Sequence, residues 1–156
     1  MKFGNPARAR VPSGAAKLSF QARAINSITD EDVRVSKRLY VASKRLRGFE
    51  PGKIGPVDGG DFIGGNYVSS INATTTIPTL LENVQSVDVV LFADAANIWG
   101  VDYDSSLDKN GIRSSVGIGI DWLTPVGPLT FSFAHPVTKE PTDIEQTIRF
   151  NIGTSF

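Results

Sequence analysis

The chain has 156 residues, enough for one ordinary domain, and its 16 basic and 16 acidic side chains balance, so no general attraction to nucleic acid or acidic surfaces is implied. It contains no cysteine, which excludes disulfide frameworks and thiolate metal sites. No apolar run approaches the roughly 20 residues of a membrane helix, but membrane strands stay open, because a strand dilutes its apolar face with a polar one.

In chain order, Met1 to Arg10 is basic, yet no apolar core follows it, so it does not read as a secretory signal. Lys17 to Ala24 alternates Leu18, Phe20 and Ala22 against Lys17, Ser19, Gln21 and Arg23, the period of a strand. A long non-strand stretch runs from Asn26 to about Gly65, charged at its start and rich in glycine and proline at its end. Within it Thr29 could cap a helical turn over Asp30 to Asp32. A loop of this length in a compact domain points to function or disorder.

Strand patterning returns at Tyr67 to Ile77, at Val87 to Trp99 (apolar-rich, with the acid Asp94), and at Ile112 to Trp122. Asp102 to Gly111 is a polar loop, and Leu123 to Pro128 is a short turn with Trp122 placed for an interfacial aromatic girdle. Leu129 to Ala134 alternates Leu129, Phe131 and Phe133 against Thr130 and Ser132. The last segment, Ile144 to Phe156, puts Ile144, Ile148, Phe150, Ile152 and Phe156 on one face, with Glu145, Thr147, Arg149 and Asn151 on the other. An aromatic terminus on a long alternating strand is the pattern of an outer-membrane barrel, whose apolar face meets lipid and whose polar face lines a wet lumen.

The expected fold class is therefore all-β: an antiparallel transmembrane β-barrel fragment of about six strands with one long inserted loop. Six strands cannot close a barrel, since about eight is the smallest number that does. The simplest account of such a chain without a signal sequence is a C-terminal portion of a longer protein or the product of a truncated gene, and alone it should not work. A small soluble β-sandwich binding module is the rival, since its strands alternate too.

Several motifs at ordered spacings carry a family resemblance. They are Leu46-Arg47-Gly48-Phe49 with Ile54-Gly55-Pro56, Gly64-Gly65-Asn66 opening a strand that ends at Pro78, and Phe92-Ala93-Asp94 with Trp99. The block Gly117-Ile118-Gly119-Ile120-Asp121-Trp122-Leu123-Thr124-Pro125-Val126-Gly127-Pro128-Leu129 and the ending Phe150-Asn151-Ile152-Gly153-Thr154-Ser155-Phe156 complete the set. From about Lys17 onward the chain resembles the outer-membrane β-barrel assembly factors, the BamA-like bacterial surface antigens, and is more similar to the central insertase than to a two-partner secretion pore.

The resemblance implies a barrel of about sixteen strands, of which these would be the last, preceded by periplasmic domains. It implies a location in the bacterial outer membrane and a non-enzymatic role in assembling other barrels there. The implied partners are outer-membrane lipid, the remainder of the barrel with its periplasmic domains, client barrel proteins and accessory assembly lipoproteins, with no nucleic acid. A passive pore or a two-partner secretion transporter would use the same fold. The resemblance also implies that the long loop enters the lumen, where Arg47 bonds wall positions Asp94 and Thr74, and that the last strand pairs loosely, forming a lateral gate. Two departures argue for a looser latch: Thr74 stands where the family usually has Glu, and Tyr40-Val41-Ala42-Ser43 stands where it usually has paired glycines.

The residues themselves allow those roles and plainer ones. Arg47 offers a planar fork for the Asp94 carboxylate; the plain alternative is a solvated loop arginine and an unrelated acid. Gly48 would let the loop backbone pass close to the wall, and Phe49 would pack inside the lumen or lie exposed. Gly117 and Gly119 either make room for the loop or ease bending. Gly153 permits a kink near the end of the terminal strand that carries Phe150 and Phe156, or is a packing accommodation. His135 reads as a rim residue. With a single histidine and no cysteine, a metal site is not expected. Neither a catalytic set nor a phosphate loop can be read, so no enzyme activity and no cofactor are expected.

Overall fold

The computed structural model describes residues 15–77, 86–108 and 111–153. Its main element is one antiparallel sheet of six strands. In chain order these are β1 (Ala16–Ala24), β5 (Tyr67–Ile77), β6 (Val87–Trp99), β7 (Arg113–Thr124), β8 (Gly127–Thr138) and β10 (Ile148–Ile152), each paired with the next. The short strands β2 (Gly48–Phe49), β3 (Val57–Asp58), β4 (Asp61–Phe62) and β9 (Glu145–Gln146) lie outside it. The sheet is open, with β1 and β10 as its edges.

Alternation gives the sheet two unlike faces. On the outer face, register aligns Leu91, Ile118, Phe133 and Ile148 in one row across four strands. Leu18, Phe20, Ile71, Phe150 and Ile152 are exposed on that same face. A contiguous apolar surface of this kind belongs against lipid rather than water. The inner face is small and polar, with Ser70, Asn72, Asp94, Arg113, Ser115, Ser132 and Arg149 all buried.

What buries them is not a second sheet, so the β-sandwich expectation is set aside. It is the chain between β1 and β5. That stretch folds back over the inner face and packs Val41, Leu46, Phe49 and Ile54 against Val68, Ala96 and Ile98 of the wall. The expected helical turn over Asp30 to Asp32 is absent; Asp30 and Glu31 bend, Asp32 is irregular, and a 3-10 turn forms at Val35–Lys37 instead. Thr29 turns its N–H to Ser27 Oγ rather than capping a helix.

Two strands depart most from the expected bounds. β8 runs from Gly127 to Thr138, well beyond Leu129 to Ala134, and takes in both Pro128 and Pro136. Proline is tolerated at the start of a strand or along an unpaired edge, and those are the two places it occupies. The terminal strand, expected as one run from Ile144, is broken at Thr147 into β9 and β10.

Candidate functional site

One row of residues crosses the inner wall at a single level: Ser19 on β1, Asn72 on β5, Asp94 on β6, Ser115 on β7 and Pro136 on β8. Loop residues 45–49 lie across this row. Arg45 Nη1 donates to Ser19 Oγ at 2.7 Å and to Asn72 Oδ1 at 3.3 Å. Arg47 reaches Asp94 with its fork, Nε to Oδ2 and Nη2 to Oδ1, both at 2.7 Å, and its backbone N–H donates to Oδ2 at 3.1 Å. Ser115 Oγ donates to the Arg47 carbonyl. A bidentate pair of this kind fixes orientation as well as charge.

The Arg47 guanidinium also lies 3.5 Å from the centroid of the Phe92 ring, a cation–π contact. Gly117 accommodates that ring. A Cβ there would come within 2.5 Å of Phe92 Cζ and 2.1 Å of the Phe133 carbonyl. The room at Gly117 therefore serves the platform under Arg47. Gly119 has no such neighbour closer than 3.6 Å.

The second wall position differs from expectation. Thr74 pairs with Phe92, one row away, and the residue opposite Asp94 is Asn72. The Asn72 amide donates to Asp94 Oδ1 at 2.9 Å and to the Arg45 carbonyl at 2.7 Å. A neutral amide thus satisfies the same carboxylate, and the loop does not depend on an acid at Thr74. Tyr40-Val41-Ala42-Ser43 adds attachment too: Val41 is buried in the core, Tyr40 Oη donates to the Phe62 carbonyl at 3.1 Å, and the Ser43 carbonyl accepts from Arg149.

Gly48 has φ +93°, a region that L side chains rarely adopt, and an added Cβ would sit 3.1 Å from Ala134 Cβ and 3.2 Å from Ser115 Cβ. Phe49 is 1% exposed within the loop–wall core. Both then pair with the start of the terminal strand, Gly48 opposite Gln146 and Phe49 opposite Glu145. Arg149 of β10 donates to the Phe49 carbonyl at 2.6 Å and to Gln146 Oε1 at 3.1 Å.

Two further ion pairs fasten the loop beyond the strand ends. Arg113 and Asp143, with side chains wholly buried, meet at 2.8 Å, and Asp143 also accepts the Gly55 N–H at 3.3 Å. Arg38 pairs with Asp102, which accepts the Val33 N–H at 2.8 Å and the Asn66 amide at 3.1 Å. Burial pushes the Asp102 carboxyl up, but the Val33 N–H, the Asn66 amide and the Arg38 charge outweigh it and hold the group below its ordinary value. None of these pairs was singled out from sequence. The available signal was an arginine at inner-face positions of two strands, Arg113 and Arg149, where an unpaired charge could not be buried.

Gly153 closes β10 with φ +94° and open space around a would-be Cβ, so its backbone conformation, not packing, calls for glycine. Phe150 lies on the outer face with its ring centroid 4.6 Å from that of Phe131. His135 is exposed on β8. Phe156, Pro78 and the basic segment Met1 to Arg10 lie outside the described residues.

The Omp85 superfamily domain matches residues 7–156. The outer membrane protein assembly factor BamA of Neisseria meningitidis serogroup B is 32% identical over 139 residues, covering 71% of this chain and 17% of that protein. BamA of Neorickettsia risticii is 30% identical over 148 residues, covering 91% and 20%. A SAM50-like protein of Schizosaccharomyces pombe is 28% identical over 166 residues, covering 99% and 34%. Among solved structures, BamA from Haemophilus ducreyi lacking POTRA domains 1-3 superposes with a TM-score of 0.78 at 26% identity, covering 88% of this chain and 31% of that one. The chain thus spans about a fifth to a third of the proteins it matches. With an open, two-faced sheet of barrel type and a domain match over nearly its whole length, the chain belongs to the Omp85 superfamily.

Proposed function

We propose that this chain forms the last strands and the inserted loop of an outer-membrane protein assembly factor, which inserts client β-barrels without covalent chemistry. It belongs to the bacterial outer membrane. Its role would be to hold a strand edge open to clients and to disturb the bilayer beside it, with client folding supplying the driving force. Substrate strands would add to that edge by backbone hydrogen bonding. In this reading Arg47, Gly48, Phe49 and Asp94 latch the loop, with Asn72 in the part expected of Thr74. Gly153 and the strand carrying Phe150 and Phe156 form the movable seam. The remaining barrel, periplasmic domains, client barrels and accessory lipoproteins complete the assembly.

One observation carries the reading: residues 45–49 bond in turn to β1, β5, β6 and β7 and then to β9. The test is to place the intact polypeptide in lipid vesicles and follow folding of a urea-denatured client barrel. Acceleration that is lost with Asp94→Asn is the expected result. Ion conduction without any acceleration of the client would assign a pore or secretion transporter instead.

A further inference from the structure

We propose that Pro136 sets the point at which the terminal strand leaves the sheet, so that the seated loop, and not β8, holds the strand's first residues. β10 pairs with β8 in unbroken register from Ile152 opposite Leu129 to Ile148 opposite Phe133. One further bond follows, from the Ala134 N–H to the Thr147 carbonyl at 2.8 Å. Alternate residues of an antiparallel strand turn their N–H groups to the same side, so the next donor toward the terminal strand belongs to residue 136. Proline has none. Continued in the same register, Glu145 would face Pro136 and Ile144 would face Val137.

The strand turns instead to the loop. Glu145 and Gln146 pair with Phe49 and Gly48, the Glu50 N–H donates to the Ile144 carbonyl at 2.8 Å, and the Ile144 N–H donates to the Lys53 carbonyl at 3.0 Å. Gly48 lies over the same proline, its would-be Cβ 3.7 Å from Pro136 Cδ. On the other side of β8 the register slips at this point as well: Ser115 faces Pro136 while Ser114 faces Thr138, leaving Val137 between them. Pro136 is thus a positioning residue. It removes the bond that would draw residues 144–146 onto β8 and leaves them to the loop. This rests on strand pairing alone and holds whether or not assembly activity is found.

The chain has no cysteine, so engineered disulfides report pairing directly. Two pairs share Ile144→Cys. With Glu50→Cys, directly opposite it in the β2–β9 register, a disulfide reports the loop-held strand. With Val137→Cys, a disulfide reports a strand zipped onto β8. Opposed residues of a ladder lie within disulfide reach. In the intact polypeptide in native membranes, the 144–50 bond should dominate. Pro136→Ala should raise the 144–137 yield relative to 144–50 by roughly five-fold, the factor that one net hydrogen bond supplies. Dominance of 144–137 while Pro136 is present overturns the proposal, as does an unchanged ratio in Pro136→Ala. If Pro136→Ala fails to assemble, the ratio in the Pro136 background decides alone.

Discussion

Asp94→Asn is the sharpest probe of the loop's seating, because no orientation of the new amide suits its surroundings. Oδ1 accepts from Arg47 Nη2 and Asn72 Nδ2, and Oδ2 accepts from Arg47 Nε and the Arg47 backbone N–H. Whichever oxygen becomes NH2 then faces two donors. Removing one partner of a buried ion pair costs about 3–5 kcal/mol. Here Arg47 keeps 21% side-chain exposure and its seat on Phe92, so part of the charge remains solvated and stacked. A loss of about 2–3 kcal/mol follows, equivalent to roughly 30- to 150-fold in the equilibrium between seated and released loop. Hydrogen exchange of the Arg47 amide reads this directly, since its N–H is bonded to the carboxylate in question. Exchange over residues 46–50 should quicken by that factor, while β7 and β8 amides stay protected. Arg47→Lys, which keeps the charge and loses the fork, should fall between the two. An Asp94→Asn sheet that is intact but whose loop exchanges within threefold of the parent would refute the reasoning.

Gly48→Ala and Gly153→Ala separate packing from backbone strain: both carry the cost of a left-handed residue, about 1–2 kcal/mol, but only Gly48→Ala adds contacts at 3.1 and 3.2 Å. Thermal unfolding followed by gel mobility should therefore drop further for Gly48→Ala, and equal shifts would contradict the packing. Asp143→Asn strips the partner from a wholly buried Arg113 and should cost about 3–5 kcal/mol, exposing residues 139–146 to protease while the β7–β8 hairpin survives; unchanged cleavage would remove the clamp from the account. Asp102 has a carboxyl held below its ordinary 3.8, so its contribution is complete above that value and is lost as pH falls through the lower folded value. Exchange at Val33 and Arg38 should accelerate under acid below about pH 4, and Asp102→Asn should abolish that pH dependence.

Much of the sheet was legible because alternation in a two-faced strand leaves little choice of which face each residue takes. Leu18, Phe20, Ile118, Phe133 and Ile148 declare the outer face by themselves. What the pattern could not supply was which inner residues share a level. Asn72 and Thr74 have the same parity on β5, and only the register with β6 decides that Asn72 meets Asp94. The long loop was harder still, because its order comes from partners far away in sequence, such as Gly55 with Asp143. No local periodicity announces such contacts. The expected strand stopped at Ala134, whereas β8 continues through Pro136 to Thr138, along an edge that the terminal strand has already left.

The inner wall and the loop solve one another's polar problem, and this is why their residues cannot be assessed one pair at a time. Irregular backbone at membrane depth is tolerated only where protein or a lumen satisfies its N–H and carbonyl groups. Wall side chains do this here, group by group. Asn72 takes the Arg45 carbonyl, Asp94 the Arg47 N–H, Ser115 the Arg47 carbonyl, and Arg149 the carbonyls of Ser43 and Phe49. The loop in turn covers the buried charges of Asp94 and Arg149, which lipid could not solvate and which an empty lumen would leave to water. A neutral side chain such as Asn72 therefore contributes to seating as well, because an unmet buried carbonyl costs about 1–3 kcal/mol. It also follows that an acid need not stand at Thr74 for the loop to be held. The criterion is that backbone groups crossing the wall find partners, and Arg45, Arg47, Gly48 and Phe49 meet it through β5, β6, β7, β9 and β10.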